Sequence, residues 1–199
     1  MDLTIRPMTQ QDLSAVVEIH KGSYQEDHVT SRYSPRLLHE LYRQVLTTNR
    51  YCFVACLRGQ VAGFLLAGEH TRQAVNVFLW GNKLGLLATV LRHPSFLRSS
   101  VVGLMHRITA KEEPVVAVKI LSIAVAANQQ RRGIGQALLE HLEIQLRRDG
   151  VPAYGLFVKR SNTPAIAFYR RNAFLAARET DQSIYFEKQL DGPAPPTGV

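Results

Sequence analysis

The sequence predicts an α/β chain on a mixed, mostly antiparallel central sheet flanked by helices on both faces. Three observations carry this. Two strand-like runs, Tyr51 to Leu57 and Val61 to Ala67, are separated only by Arg58-Gly59-Gln60, the mark of a hairpin. Val115 to Ala126 is apolar at both alternating positions except for Lys119 and Ser122, as a central strand covered on both sides must be. That strand leads through Gly133 and Gly135 into a segment of helical period, so a sharp turn joins strand to helix.

Taken in order, Leu3 to Arg6 reads as the first strand. Thr9-Gln-Gln-Asp12 reads as a helix start, with threonine capping and an acid in the first turn, and Leu13, Val16, Val17 and His20 line the face that follows. After a polar stretch from Gly22 to Arg32, Ser34 caps and Pro35 opens a second helix whose apolar stripe is Leu37, Leu38, Leu41 and Val45. The hairpin comes next. Beyond the central strand, a helix over Gly135 to Arg148 ends at Asp149-Gly150, Ala153 to Val158 is a strand, and Pro164 to Arg171 a short helix. Phe174 to Arg178 and Ser183 to Gln189 close the chain as a hairpin, and the Pro- and Gly-containing residues 191–199 read as a disordered tail.

Between the hairpin and the central strand lies a basic helical insert, at about 72–111. From His70 to Lys111 there is no Asp or Glu, whereas Arg72, Lys83, Arg92, Arg98, Arg107 and Lys111 are cationic. Trp80, Leu84, Leu87 and Leu91 recur at helical spacing, as do Phe96, Val101, Leu104, Met105 and Ile108, with Pro94 between the sets. Three readings stay open: a solvated lid, a site for an anionic substrate, or a weak contact with an anionic membrane or a partner.

A chain of 199 residues, 46% hydrophobic, suffices for one well-buried core, and residues 1–190 are assigned to a single domain. The net charge of +8 favours a polyanionic partner without choosing one. No recognition motif or aromatic platform accompanies the charge, so nucleic acid is not expected. The chain opens on no signal-peptide pattern and holds no run of ~18 apolar residues, which points to the cytoplasm. Cys52 and Cys56 share a strand face roughly 13 Å apart, too far for a disulfide. With no Cys/His cluster beside them they read as buried free thiols, and no metal is expected.

The chemistry concentrates in two segments. In Gln130-Arg131-Arg132-Gly133-Ile134-Gly135, glycines remove side chains where a backbone must approach an anion, and the first-turn N–H groups of the helix then face that anion. A dinucleotide fold is disfavoured, since Leu138 stands where a third glycine belongs, and no Gly-Lys-Ser/Thr marks a kinase-type loop. The second segment, Asn162-Thr-Pro-Ala165-Ile-Ala-Phe168-Tyr169, brings a helix and a phenol.

Together the two segments resemble the GNAT superfamily of N-acetyltransferases: the first is similar to its acyl-coenzyme A loop, Gln/Arg-x-x-Gly-x-Gly/Ala, and the second to its Asn-x-x-Ala-x-x-x-Tyr element. The resemblance implies acetyl-CoA as acyl donor. It places the pyrophosphate on the backbone of Arg131, Arg132, Gly133, Ile134, Gly135 and Gln136, with Gln130 opening the loop. It places pantetheine beside Ile123, Ala124 and Val125, with the Val125 amide polarising the thioester carbonyl. Asn162 would fix the cofactor or the helix start, and Ala165 and Phe168 would border the pantetheine arm. Tyr169 is the implied general acid, since a phenol with a pKa near 10 keeps its proton at pH 7 and can protonate a leaving thiolate. Ala173 departs from the family's glycine before Phe174.

The base is not legible. The family's glutamate on the central strand is missing, and Glu26, Asp27, His28 and Glu69 are candidates, while His20 reads as packed on its helix. The expected reaction is direct attack of a primary amine by a monomer or homodimer; an amino sugar, a small polyamine or amino acid, and a protein amino group stay open as acceptor, with a small molecule such as an amino sugar preferred because the basic insert suits an anionic carrier. An inactive acyl-CoA-binding sensor or docking module is the alternative, and it would be indifferent to Tyr169→Phe.

Overall fold

The computed structural model describes residues 2–23, 29–92 and 116–190. Seven strands form one sheet: β1 (Leu3–Pro7), β2 (Tyr51–Leu57), β3 (Gln60–Gly68), β4 (Val118–Val125), β5 (Ala153–Lys159), β6 (Leu175–Glu179) and β7 (Ser183–Gln189). Their order across the sheet is β1-β2-β3-β4-β5-β7-β6. Only β4 and β5 run parallel; every other neighbour pair is antiparallel. The hairpin turn between β2 and β3 forms as the sequence predicts, with Arg58 and Gly59 both at positive φ, the twist that suits a two-residue connection.

Helices cover both faces. On one, α1 (Leu13–Ser23), α2 (Pro35–Thr48) and α3 (Thr71–Gly81) bury Val16, Leu38, Val45 and Phe78 against Val54, Phe64 and Leu66 of the sheet. On the other, α5 (Ile134–Arg148) buries Leu138, Leu139, Leu142 and Leu146 against Phe53, Leu65 and Leu156. The short α6 (Thr163–Arg171) adds Tyr169 to that second core. Ser34 accepts a hydrogen bond from the Leu37 N–H at 3.3 Å with Pro35 in the first turn, as the capping residues predict. Thr9 takes the N-cap position the sequence predicts, in a capping box with Asp12. Its N–H and hydroxyl both donate to Asp12, at 2.8 and 2.9 Å, so the carboxylate collects the donors, and a 3-10 turn precedes α1.

The central strand is shorter than the apolar run, because Val116 and Ala117 precede it and Ala126 leaves it to donate to Ala62. It also carries a bulge. Leu66 pairs with Ser122 and Ala67 with Ile120, so Leu121 is an extra residue that switches the face each later side chain occupies. Val118 and Ile120 point into the α5 core, whereas Ala124 points into the α1–α2 core.

The insert departs most from expectation. Trp80, Leu84 and Leu87, which share one helical spacing, do not share one helix: α3 ends at Gly81, α4 spans Lys83–Arg92, and these side chains are exposed. The second predicted set, Phe96 to Ile108, lies outside the described residues, as do Glu26, Asp27, His28 and the tail 191–199. Cys52 and Cys56 are buried free thiols on one face of β2, and burial pushes the Cys52 thiol up to about 12.

Candidate active site

The bulge and the single parallel contact open a cleft. β4 and β5 pair only through Val118–Ile120 against Tyr154–Leu156. Beyond that, β5 runs on to Lys159 beside β7 and β4 runs on to Val125 beside β3, so the two strands part. Residues 121–125 of β4 thus present a strand edge without a β5 partner in the ladder. Ile123 and Val125, on the α5 side after the bulge, are partly buried and, like Ala165, Ile166 and Phe168 of α6, pack against the α5 core.

At the end of β4 the chain turns through a 3-10 segment, Ala127–Gln129, into the predicted loop. Arg131 and Gly133 both take left-handed φ, 62° and 78°. Gly133 is the N-cap of α5, and no side chain caps that end. The first intrahelical bond comes from Ala137 to the Gly133 carbonyl, so the N–H groups before it are available to an anion, and no acid lies in the first turn. Gln130, Arg131 and Arg132 are exposed, with Gln130 Nε2 3.3 Å from the Val125 carbonyl. A Cβ on Gly135 would stand 3.4 Å from Phe168 and 3.8 Å from Val125, which shows how closely the helix start, α6 and β4 converge. An uncapped, acid-free helix start beside an open strand edge fits a long ligand with phosphates at one end, which is the shape of coenzyme A.

Asn162 caps α6, its Oδ1 accepting from the Ala165 N–H at 3.1 Å. The other end of α6 fixes Tyr169. The Phe174 N–H donates to the Tyr169 carbonyl and the Ala173 N–H to the Arg170 carbonyl, a Schellman pair that needs a left-handed residue between, and Ala173 supplies it at φ 63°. The accompanying apolar contact is Tyr169 on Phe174, ring centroids 5.3 Å apart. Tyr169 is 6% exposed, held between Phe168, Phe174 and Phe186.

Two polar constructions were not legible in the sequence. On the α1–α2 face, Thr30 Oγ1 lies 2.9 Å from His20 Nε2, His20 Nδ1 2.6 Å from the Tyr42 hydroxyl, and that hydroxyl 3.3 Å from Ser122 Oγ on β4. His20 thus uses both ring nitrogens inside a buried chain that ends beside the cleft, and Ser23 adds a bond to the Val125 carbonyl at 2.9 Å. On the other face, Glu143 accepts from the Tyr154 hydroxyl at 2.7 Å and from Lys188 at 2.6 Å, tying α5 to β5 and β7. Burial, then the Glu143 charge, pushes the Tyr154 phenol up. Such partners, up to 102 residues apart, leave no local periodicity to read.

A cavity of about 800 Å³ between α3 and the start of β4 is lined by Glu69, His70, Arg72 and Lys119 among others. Among the described residues no group of three or more His, Cys, Asp or Glu side chains could hold a metal, and no helix is long and apolar enough to cross a membrane.

Known proteins resemble this chain in sequence and in fold. The chain is 33% identical over 110 residues, 55% of its length and 74% of the relative's, to the [ribosomal protein bS18]-alanine N-acetyltransferase of Escherichia coli K12. The crystal structure of the Escherichia coli ribosomal-protein-S18-alanine N-acetyltransferase superposes with a TM-score of 0.58 at 20% identity, covering 99% of both chains. A PaiA N-acetyltransferase from Thermoplasma acidophilum, solved in complex with coenzyme A, gives 0.61 at 18% identity over 95% of this chain and 99% of that one. These structures share the fold. The family model for the acetyltransferase (GNAT) family matches residues 13–174, a span that holds both the uncapped helix start and Tyr169. By that match the chain belongs to the acetyltransferase (GNAT) family and is an N-acetyltransferase.

Proposed function

We propose that the cleft between β4 and β5 receives acetyl-CoA and that a primary amine attacks the thioester directly. The observation that carries this is the unpaired edge of β4 running into the uncapped start of α5. The N–H groups from Arg131 to Gln136 hold the pyrophosphate, and the main chain of Ile123, Ala124 and Val125 pairs with the pantetheine arm. Bound there, acetyl-CoA supplies an activated acyl group. Ala165 and Phe168 border the arm, Asn162 sets the start of α6, and Tyr169 donates its proton to the departing sulfur while the attacking nitrogen gives up a proton to solvent, from which the phenol is reprotonated. A cysteine relay is disfavoured: both thiols sit on β2, two strands from the cleft, and the Cys52 thiol stays protonated at neutral pH.

The acceptor is a small amine carrying an anionic group, such as a phosphorylated amino sugar. Arg72 and Lys119 in the cavity beside β4 support this, with Glu69 there to meet an ammonium. A protein N-terminus is the second reading, favoured by the ribosomal-protein alanine acetylated by the Escherichia coli relative.

Thiol release from acetyl-CoA tests both. Turnover with anionic amino sugars, and none with an alanine-ended peptide, supports the first reading; the reverse supports the second. Release with no amine of either class would sink the direct-attack scheme.

A further inference from the structure

The exposed apolar surface of the described chain concentrates on the insert. Of the seven large apolar side chains exposed there, four lie on α3 and α4: Val77, Trp80, Leu84 and Leu87, at 48%, 72%, 83% and 54% exposure. Val77 and Trp80 line one cavity and Trp80 and Leu84 another, and Leu87 follows Leu84 at i+3 on α4, so the four succeed one another along the insert. The packing of the two helices turns them outward. On α3 the inner face is Ala74 and Phe78, the latter against Tyr33 at 5.9 Å. On α4, Gly85 faces Leu37 of α2 so closely that a Cβ there would stand 3.0 Å from a leucine methyl, which leaves Leu84 and Leu87 on the far side.

Charge around this patch is mostly cationic: the acids that line its two cavities are Glu40, which is paired with Arg43, and Glu69. No Asp or Glu occurs between His70 and Arg92. Lys83 Nζ sits 4.2 Å from the centre of the Trp80 ring, and Arg72 lines the cavity on one side of Trp80. On the other side, the cavity shared with Leu84, about 1170 Å³, is rimmed by Lys21, Arg32 and Arg36. Protein interfaces are depleted of lysine at their apolar centre, whereas a bilayer boundary accepts an apolar wedge with cations beside it and holds tryptophan at headgroup depth. Helices of 11 and 10 residues are too short to cross ~30 Å of hydrocarbon, so they would lie in the boundary.

We propose that α3 and α4 dock this protein on an anionic lipid surface, with Trp80, Leu84 and Leu87 set among the headgroups and Lys83 against lipid phosphates. The proposal does not depend on the acceptor's identity. It gives the enzyme a place to work, at the membrane face.

The chain carries a single tryptophan, so its fluorescence reports this patch alone. The full chain is titrated with vesicles of phosphatidylglycerol and phosphatidylcholine, and separately with phosphatidylcholine only. Expected are a blue shift and quenching by brominated lipid with the anionic vesicles, both weakened by salt. Lys83→Glu should lower partitioning at least fivefold. Leu84→Asp with Leu87→Asp should abolish the shift, while the variant still gains thermal stability from acetyl-CoA, which shows that it is folded. No shift with anionic vesicles overturns the proposal, as does a double variant that binds like the parent, since adsorption would then come from net charge elsewhere. Emission already blue in buffer also overturns it, because Trp80 would then be covered by protein.

Discussion

Ala173 sits at left-handed φ where an L-residue costs about 1–2 kcal/mol, and Ala173→Gly should therefore stabilise the fold by roughly 1 kcal/mol, read as a rise in the thermal midpoint. The same turn holds Tyr169. Tyr169→Phe keeps the ring contacts and removes the hydroxyl, so kcat should fall about a hundredfold with the KM for acetyl-CoA little changed. Unchanged turnover would take the acid's role away from Tyr169. At Gly133 the site is open around the absent Cβ, yet φ is 78°, so Gly133→Glu introduces backbone strain and a carboxylate at the proposed phosphate position. That variant should lose the stabilisation acetyl-CoA gives the parent in a melting experiment.

Elements meet at points where one atom too many matters. Gly63 of β3 lies under α5, and a Cβ there would be 3.1 Å from the Ala124 carbonyl and 3.2 Å from Ile134. Gly63→Ala should push the start of α5 outward and weaken acetyl-CoA binding more than it lowers stability, a split seen by comparing the dissociation constant with the melting curve. The β1–α1 corner is held by charge. Hydrogen bonds from Arg6, at 2.7 and 2.8 Å, lower the Asp12 carboxyl to about 2. Its folded value lies below that of an unfolded aspartate, near 3.9, so the stabilisation is complete above about pH 4 and disappears as pH falls through about 2. Arg6 is 45% exposed and solvent screens the pair, so the effect is modest. Asp12→Asn should flatten the loss of stability across that window.

Over the whole molecule, what the sequence revealed was what depends on near neighbours. The hairpin at Arg58-Gly59, the Ser34-Pro35 helix start and the glycine-opened α5 each rest on residues within a turn of one another, and each formed. The bulge at Leu121 escaped because it is defined by the register of β3; in β4 alone, leucine is one more apolar residue. The break at Asn82 escaped for a related reason. Trp80, Leu84 and Leu87 keep helical spacing across it, and spacing does not say which face is buried. The two motif segments were legible as chemistry, whereas the chain from Thr30 through His20 and Tyr42 to Ser122 required the tertiary fold.

The brief parallel contact has a mechanical consequence. Strands β1 to β4 form one leaf and β5 to β7 another, and between them the backbone ladder is three residue pairs long. The leaves are seamed at one end and free at the other, like a partly closed zip. A ligand arm lying along residues 121–125 would continue the seam, so acetyl-CoA should slow amide exchange in β4 and β5 more than in β1 and β2. The donor would then serve as a removable length of stitching, and each turnover, on releasing coenzyme A, would loosen the protein it had tightened.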